Sequence, residues 1–140
     1  MIMGGEEEVV RALRFPFWDP KLNRGTKSAF QQENLSVSRT VILPYTEIVE
    51  IFRWNLGKPI RGEARNAGVQ GTATFRVQQA LDIAKESAAD VRVSFVPDPQ
   101  QGRVQARDDP SHALMQVRTA AGEPRKLSNS GAQALLNASV

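Results

Sequence analysis

The chain contains no cysteine and only one histidine among its 140 residues. The lack of cysteine excludes a disulfide framework, a thiolate metal site and a cysteine nucleophile. The histidine-rich spacings of common metal sites are also missing, so we expect neither a metal nor another cofactor. Since a chain without cysteine suits a reducing compartment, we expect a cytoplasmic protein.

The sequence also lacks a long apolar run. Residues 41–56 are the most apolar stretch, but Pro44 and three charged side chains interrupt it, and it falls short of the ~18 to 20 residues that span a bilayer. The first eight residues contain three glutamates instead of a basic segment, so we expect no export signal, no membrane partner and a flexible extension over residues 1–8. The length suits one compact domain over residues 1–140.

The periodicity of apolar residues predicts an α+β fold, a mostly antiparallel sheet of four to six short strands with two or three helices. Alternation or strand-forming residues predict strands at 9–15, 35–37, 41–43, 91–95, 103–107 and 112–118. Three- and four-residue spacing predicts helices at 46–56, 76–87 and 129–138, with a strand over 72–77 competing for the start of the second helix. Ser128 or Ser130 is available as the cap of the last helix. Residues 61–71, which contain three glycines, favour a long loop.

Residues 11–27 form the most basic segment, which we call the basic aromatic loop. Its cations are Arg11, Arg14, Lys21, Arg24 and Lys27, and Asp19 is its single carboxylate. Phe17 and Trp18 lie in the same segment and must be buried or covered by a partner. Aromatic and arginine side chains on turn-rich loops are typical anchors of interfaces and of nucleic-acid contacts. The segment therefore predicts a small binding or accessory domain that contacts a protein partner or nucleic acid. A solvated loop is the alternative.

An enzyme is the second hypothesis. His112 is the natural candidate for proton transfer because it is the single histidine, and Asp108 and Asp109 precede it closely enough to orient its ring. With Ser36 or Ser38 and an arginine such as Arg39, His112 would serve a hydrolytic or group-transfer reaction on a phosphorylated or nucleic-acid substrate, as in small ribonuclease-like toxins. A structural histidine and turn-capping serines are the alternative.

Three short segments carry a resemblance. Ser-Ala-Phe at 28–30, Leu-Ser-Val-Ser-Arg at 35–39 and Pro-Ser-His-Ala-Leu-Met at 110–115 resemble a group of small, uncharacterised bacterial proteins. The resemblance implies no particular reaction. A homo-oligomer completed by the apolar part of the basic aromatic loop is a third hypothesis.

Overall fold

A five-stranded antiparallel sheet organises the protein in this computed structural model, which describes residues 3–14, 16–56, 69–102 and 107–140. In chain order the elements are β1 (Glu8–Leu13), β2 (Trp18–Asp19), β3 (Arg24–Gly25), a 3-10 helix (Lys27–Phe30), β4 (Asn34–Arg39), α1 (Tyr45–Leu56), β5 (Gly71–Arg76), α2 (Val77–Ser87), β6 (Val91–Pro97), β7 (His112–Thr119) and α3 (Asn129–Ala138). The sheet order is β5-β1-β4-β7-β6, and β2 and β3 form a separate ribbon. The predicted single α+β domain with a mostly antiparallel sheet is confirmed.

The main core lies between one face of this sheet and helices α2 and α3. Alternate residues of each strand point into it, as β7 illustrates with Ala113, Met115 and Val117, which are all fully buried. Phe30 from the 3-10 helix and Phe75 from β5 meet edge to face in this core, with their ring centroids 5.9 Å apart. The intervening residues of β4, β6 and β7 therefore lie on the opposite side of the sheet, which we call the open face.

Helix α1 packs on the open-face side of the sheet near β1. Ile48 and Phe52 contact Val10 of β1 in a small second cluster, and all three side chains are buried. The four-residue step between Ile48 and Phe52 places them on one helix stripe, as the sequence pattern predicts. The helix thereby forms a wall beside β4 and β7.

The helical predictions are confirmed, and one strand prediction is wrong. Residues 41–43 were predicted to be a strand but form a turn, in which Ile42 N–H donates to the Arg39 carbonyl. Pro44 explains the turn, because it has no N–H for a ladder and its carbonyl already accepts from Glu47 and Ile48 at the start of α1. The predicted strand at 103–107 and the loop at 61–71 fall largely outside the described residues.

Around residue 76, where the sequence predicted either a strand or a helix, the structure has a strand followed directly by a helix. The strand β5 ends at Arg76 and α2 begins at Val77, with the Gln79 side chain accepting from the Arg76 N–H. At the other end of the chain, the Ser128 side chain caps α3 by accepting from Gly131 N–H at 3.1 Å.

An extension was predicted over residues 1–8. Of its described part, Met3 is buried in the main core, Glu7 binds Arg39 with both carboxylate oxygens, and Glu8 begins β1. Across the described residues, every helix is too short or too polar to cross a membrane.

Candidate ligand-binding cleft

A cleft of about 700 Å³ lies between α1, the open face of β4 and β7, and the connection from β6 to β7. Its walls carry the cations Arg11, Arg14 and Arg107 and the ring of His112. Its amide side chains are Gln32, Asn34, Asn55, Gln100 and Gln101. Phe17, Ile51 and Phe52 supply apolar surface. A pocket of this size, with convergent polar groups on a partly apolar wall, has the general character of a ligand site.

Arg11 fills a split between β1 and β4. The described register between these strands stops after Val9 with Arg39 and Val10 with Ser38. Beyond it, the Arg11 guanidinium donates from Nε to the Ala29 carbonyl at 2.7 Å and from NH1 to the Ser36 carbonyl at 3.0 Å. Its side chain thus replaces the missing ladder bonds.

The Arg11 charge has no carboxylate partner among the described residues. Its third hydrogen bond, from NH2, goes to the neutral Gln32 side chain, and its guanidinium carbon lies 5.6 Å from the ring centroid of Phe17. The residue is 6% exposed, and this burial lowers the pKa of Arg11 to about 10. Arg11 therefore stays cationic at neutral pH and adds a fixed positive charge to the cleft, instead of offering it on an exposed loop as the sequence suggested.

Arg107 reaches the cleft from the opposite wall, where Asn55 at the end of α1 holds its backbone. The Arg107 N–H donates to Asn55 Oδ1 at 2.7 Å, and Asn55 Nδ2 donates to the Arg107 carbonyl at 3.0 Å. The Arg107 side chain is exposed. This pair therefore fixes the chain position of an available cation at the mouth of the cleft.

His112 lies at the start of β7, where Asp98 determines its tautomer. Nδ1 is 2.9 Å from the Asp98 carbonyl oxygen and 3.2 Å from its Oδ2. Because a carbonyl only accepts, Nδ1 carries the proton, and in the neutral ring Nε2 is the nitrogen that accepts one. The His112 ring therefore bonds to Asp98, the residue that follows β6, and not to Asp108 or Asp109 as the sequence suggested.

Asp109 has a different role, because its carboxylate folds the turn before β7. Oδ1 accepts from both the backbone N–H and the hydroxyl of Ser111, at 3.1 and 2.6 Å, and Oδ2 accepts from the Ser38 hydroxyl at 3.4 Å. Ser38 is directly opposite His112 in the sheet but only 1% exposed. Ser36, two residues away on the same face, is exposed and lines the cleft. The turn therefore positions His112 while using the one cleft carboxylate that the structure describes.

Arg39, which the sequence grouped with His112 and Ser36, lies on the other side of the sheet. The alternation of β4 turns its side chain away from Ser38, and both of its bonding nitrogens reach the Glu7 carboxylate. The hydrogen bond from Arg39 to Glu7 raises the pKa of Arg39. His112 and Ser36 are brought together in the cleft, and Arg39 is not.

The basic aromatic loop is divided by the fold. Arg11, Arg14 and Phe17 line the cleft, and Phe17 and Trp18 are both half-buried against the main core. Lys21, Arg24 and Lys27 are exposed away from the cleft, with Asp19 Oδ1 accepting from the Lys21 backbone N–H. The N-terminal part of the basic aromatic loop therefore lines the cleft, and its C-terminal cations do not.

The sequence did not predict a role for the amide side chains of the cleft or for Arg107. Isolated Asn and Gln residues have no periodic signal, and those of the cleft come from β4, α1 and two connections that meet only in three dimensions. The repeated amide pairs Gln31-Gln32 and Gln100-Gln101 were the visible hint.

No protein family, curated protein or solved structure matches this chain. The resemblance at 28–30, 35–39 and 110–115 therefore stays a prediction.

Proposed function

We propose that this protein binds a nucleic acid, with the cleft as its site. The observation that carries the proposal is the grouping of Arg11, Arg14 and Arg107 around one cleft whose described carboxylate, Asp109, is engaged by Ser38 and Ser111. These hydrogen bonds leave the Asp109 charge in place, but the described lining carries more cations than carboxylates, so its net charge is positive and suits phosphate groups.

The other lining groups favour a nucleic acid over an acidic peptide. Of the five amide side chains that line the cleft, Asn55 is occupied by the Arg107 backbone and Gln100 Nε2 by Asp98, whereas Gln32 and Asn34 use only their oxygen atoms. Their free amino groups, together with the Gln101 amide, can pair with acceptors on the edge of a nucleobase. Phe17 adds an aromatic surface on which a base can stack. A carboxylate-rich peptide would need only the cations of the cleft, so it would not account for the amides and the aromatic ring.

The test uses fluorescence anisotropy to measure the binding of a labelled eight-nucleotide RNA at salt concentrations between 50 and 200 mM. We expect Arg107→Ala to weaken binding and to reduce the slope of log K against log salt by about 0.7, the value for one phosphate contact on a single strand. Arg24→Ala makes the same charge change on the exposed loop and should leave both quantities unchanged.

Equal losses in the two variants would contradict the cleft as the site. Equally strong competition by an octaglutamate peptide would point to an acidic protein partner instead. A DNA of the same sequence, measured in parallel, reports whether the 2′-hydroxyl contributes.

Phosphodiester cleavage is the second candidate function, and the tautomer of His112 favours it. With Nδ1–H held by Asp98, Nε2 would remove the proton from a ribose 2′-hydroxyl. That oxygen would then attack phosphorus to form a 2′,3′-cyclic phosphate, while the bond to the 5′-oxygen breaks and the leaving oxygen takes up a proton from solvent water. Arg107 would stabilise the charge on the phosphate.

The two functions separate with His112→Gln. If cleavage occurs, the variant should still bind the RNA but no longer release the cyclic phosphate product. Cleavage that continues in the folded His112→Gln protein would rule out His112 as the base, and DNA should resist cleavage because it lacks the attacking hydroxyl.

A further inference from the structure

At the edge of the cleft, the open face of the sheet carries a row of polar residues across three strands. Asn34 of β4, Gln116 of β7 and Ser94 of β6 are paired in one row, and their positions alternate with the residues of the main core. Asn34 and Ser94 are exposed. Asn34 also lines the cleft, so this row begins where the cleft ends.

A further cation, Arg118, stands beside Asn34 at the rim of the cleft. The Arg118 guanidinium donates to the Glu33 and Val117 carbonyls, each at 2.8 Å, and to Asn34 Oδ1 at 2.6 Å. All three acceptors are neutral, and no ion pair to Arg118 occurs within the described part of the chain. The hydrogen bonds thus hold the side chain in place without cancelling its charge.

The spacing between His112, at one end of the cleft, and this cation is set by β7. Arg118 follows His112 by six residues on the same face of the strand, which corresponds to about 20 Å at the usual strand rise. Stacked nucleotides advance about 3.4 Å each along one strand, so about six nucleotides would cover this distance.

We infer that the ligand is a single-stranded nucleic acid that enters the cleft and continues along the open face to Arg118. The inference rests on the proposed function and adds the form and the length of the ligand. Charge complementarity supports it, because Arg107 lines the cleft together with His112, and Arg118 lies at the other end of this stretch of β7. The amide and hydroxyl groups of Asn34, Gln116 and Ser94 meet unpaired base edges, which a duplex would keep occupied.

The experiment measures affinity for RNA oligomers of two, four, six, eight and twelve nucleotides by anisotropy. We expect affinity to rise up to about six to eight nucleotides and then to level off. Arg118→Gln should remove the gain beyond four nucleotides and lower the salt slope of the eight-nucleotide RNA by about 0.7, with the dinucleotide unchanged.

Two controls separate charge from structure. Arg118→Lys keeps the charge while losing the fork that holds Asn34, so it should retain most of the length-dependent gain. Lys85→Ala removes an exposed cation from α2 on the opposite side of the sheet and should have no effect.

Several outcomes would overturn the inference. These are affinity independent of length beyond the dinucleotide, equal effects of Arg118→Gln on short and long oligomers, or tighter binding of an eight-base-pair duplex. In each case Arg107→Ala would still weaken the dinucleotide if the proposed function holds, and loss of that effect marks failure of the proposed function itself.

Discussion

The side chain of Asn55 pairs with both polar backbone groups of Arg107, although 52 residues separate them in the chain. Asn55 thereby joins the end of α1 to the connection that precedes β7. Since the Arg107 side chain extends from this fixed backbone, Asn55 acts on any ligand through Arg107. It is a positioning residue by this argument.

Asn55→Ala should therefore weaken nucleic-acid binding only when Arg107 is present. In a double-mutant cycle, the combined Asn55→Ala and Arg107→Ala variant should bind about as well as Arg107→Ala alone. Anisotropy with the eight-nucleotide RNA measures the four affinities. Additive losses would mean that Asn55 contacts the ligand independently, and Asn137→Ala, at an exposed amide of α3, serves as the control.

Burial of Arg11 leads to a specific pH dependence of stability. Its pKa is about 10 in the folded protein, below that of an ordinary arginine, so the unfolded chain holds this proton more tightly. The contribution of this group to stability is complete above the pKa of arginine in the unfolded chain, and it is lost as the pH falls from there through 10. The free energy of unfolding should rise with pH in that window by up to about 1.4 kcal/mol per pH unit.

Comparison with Arg11→Met isolates this effect from the lysines and the tyrosine. Urea unfolding of both proteins should give a difference in free energy that is constant from pH 7 to 9 and that increases in favour of the wild type above pH 10. A difference that decreases above pH 10 would show that burial does not depress the pKa of this group.

Gly71 at the start of β5 lies directly beneath Trp18. A Cβ at this position would come within 2.7 Å of Trp18 Cη2 and 2.9 Å of its Cε3, closer than carbon atoms pack. Gly71→Ala should displace the indole and lower the free energy of unfolding by about 1 to 3 kcal/mol. Because Trp54 is exposed, the measurement uses a Trp54→Phe background, in which Trp18 emission should shift to longer wavelength. Gly4→Ala has open space around the added carbon and should change neither quantity.

The cap of α3 gives a local test of the fold. Ser128→Ala should lower the free energy of unfolding by about 1 kcal/mol, because the Gly131 N–H loses its acceptor. Ser130→Ala removes a hydroxyl that contacts the Ser128 side chain and should cost less. Urea unfolding measures both losses, and a larger loss for Ser130→Ala would show that Ser130, and not Ser128, caps the helix.

Local pattern was sufficient for much of the fold. The apolar spacing of α1, the alternation of β6 and β7, and the Ser128 cap are properties of neighbouring residues, and each prediction is confirmed. The turn at residues 41–43 was misassigned because apolar side chains suggested burial, whereas Val41 is 63% exposed.

The site required information that a linear pattern does not hold. Arg39 and Ser36 are three residues apart, yet strand alternation places them on opposite faces, and Glu7 completes the separation by binding Arg39. His112 is close to Asp109 in sequence, but its ring bonds to Asp98 because β6 and β7 are paired. His112 and Ser36 both line the cleft because Ser36 and Leu114, two residues after His112, are partners in the sheet.

The Arg11 guanidinium has a wider consequence for how this protein can change. This one side chain closes the gap between two central strands and also contributes positive charge to the neighbouring cleft. An apolar replacement would leave the Ala29 and Ser36 carbonyls without this donor, and an acidic one would repel them. Tolerance to substitution at this position is therefore tied to ligand preference, and a descendant that selects a cationic ligand would first need a different way to join its sheet.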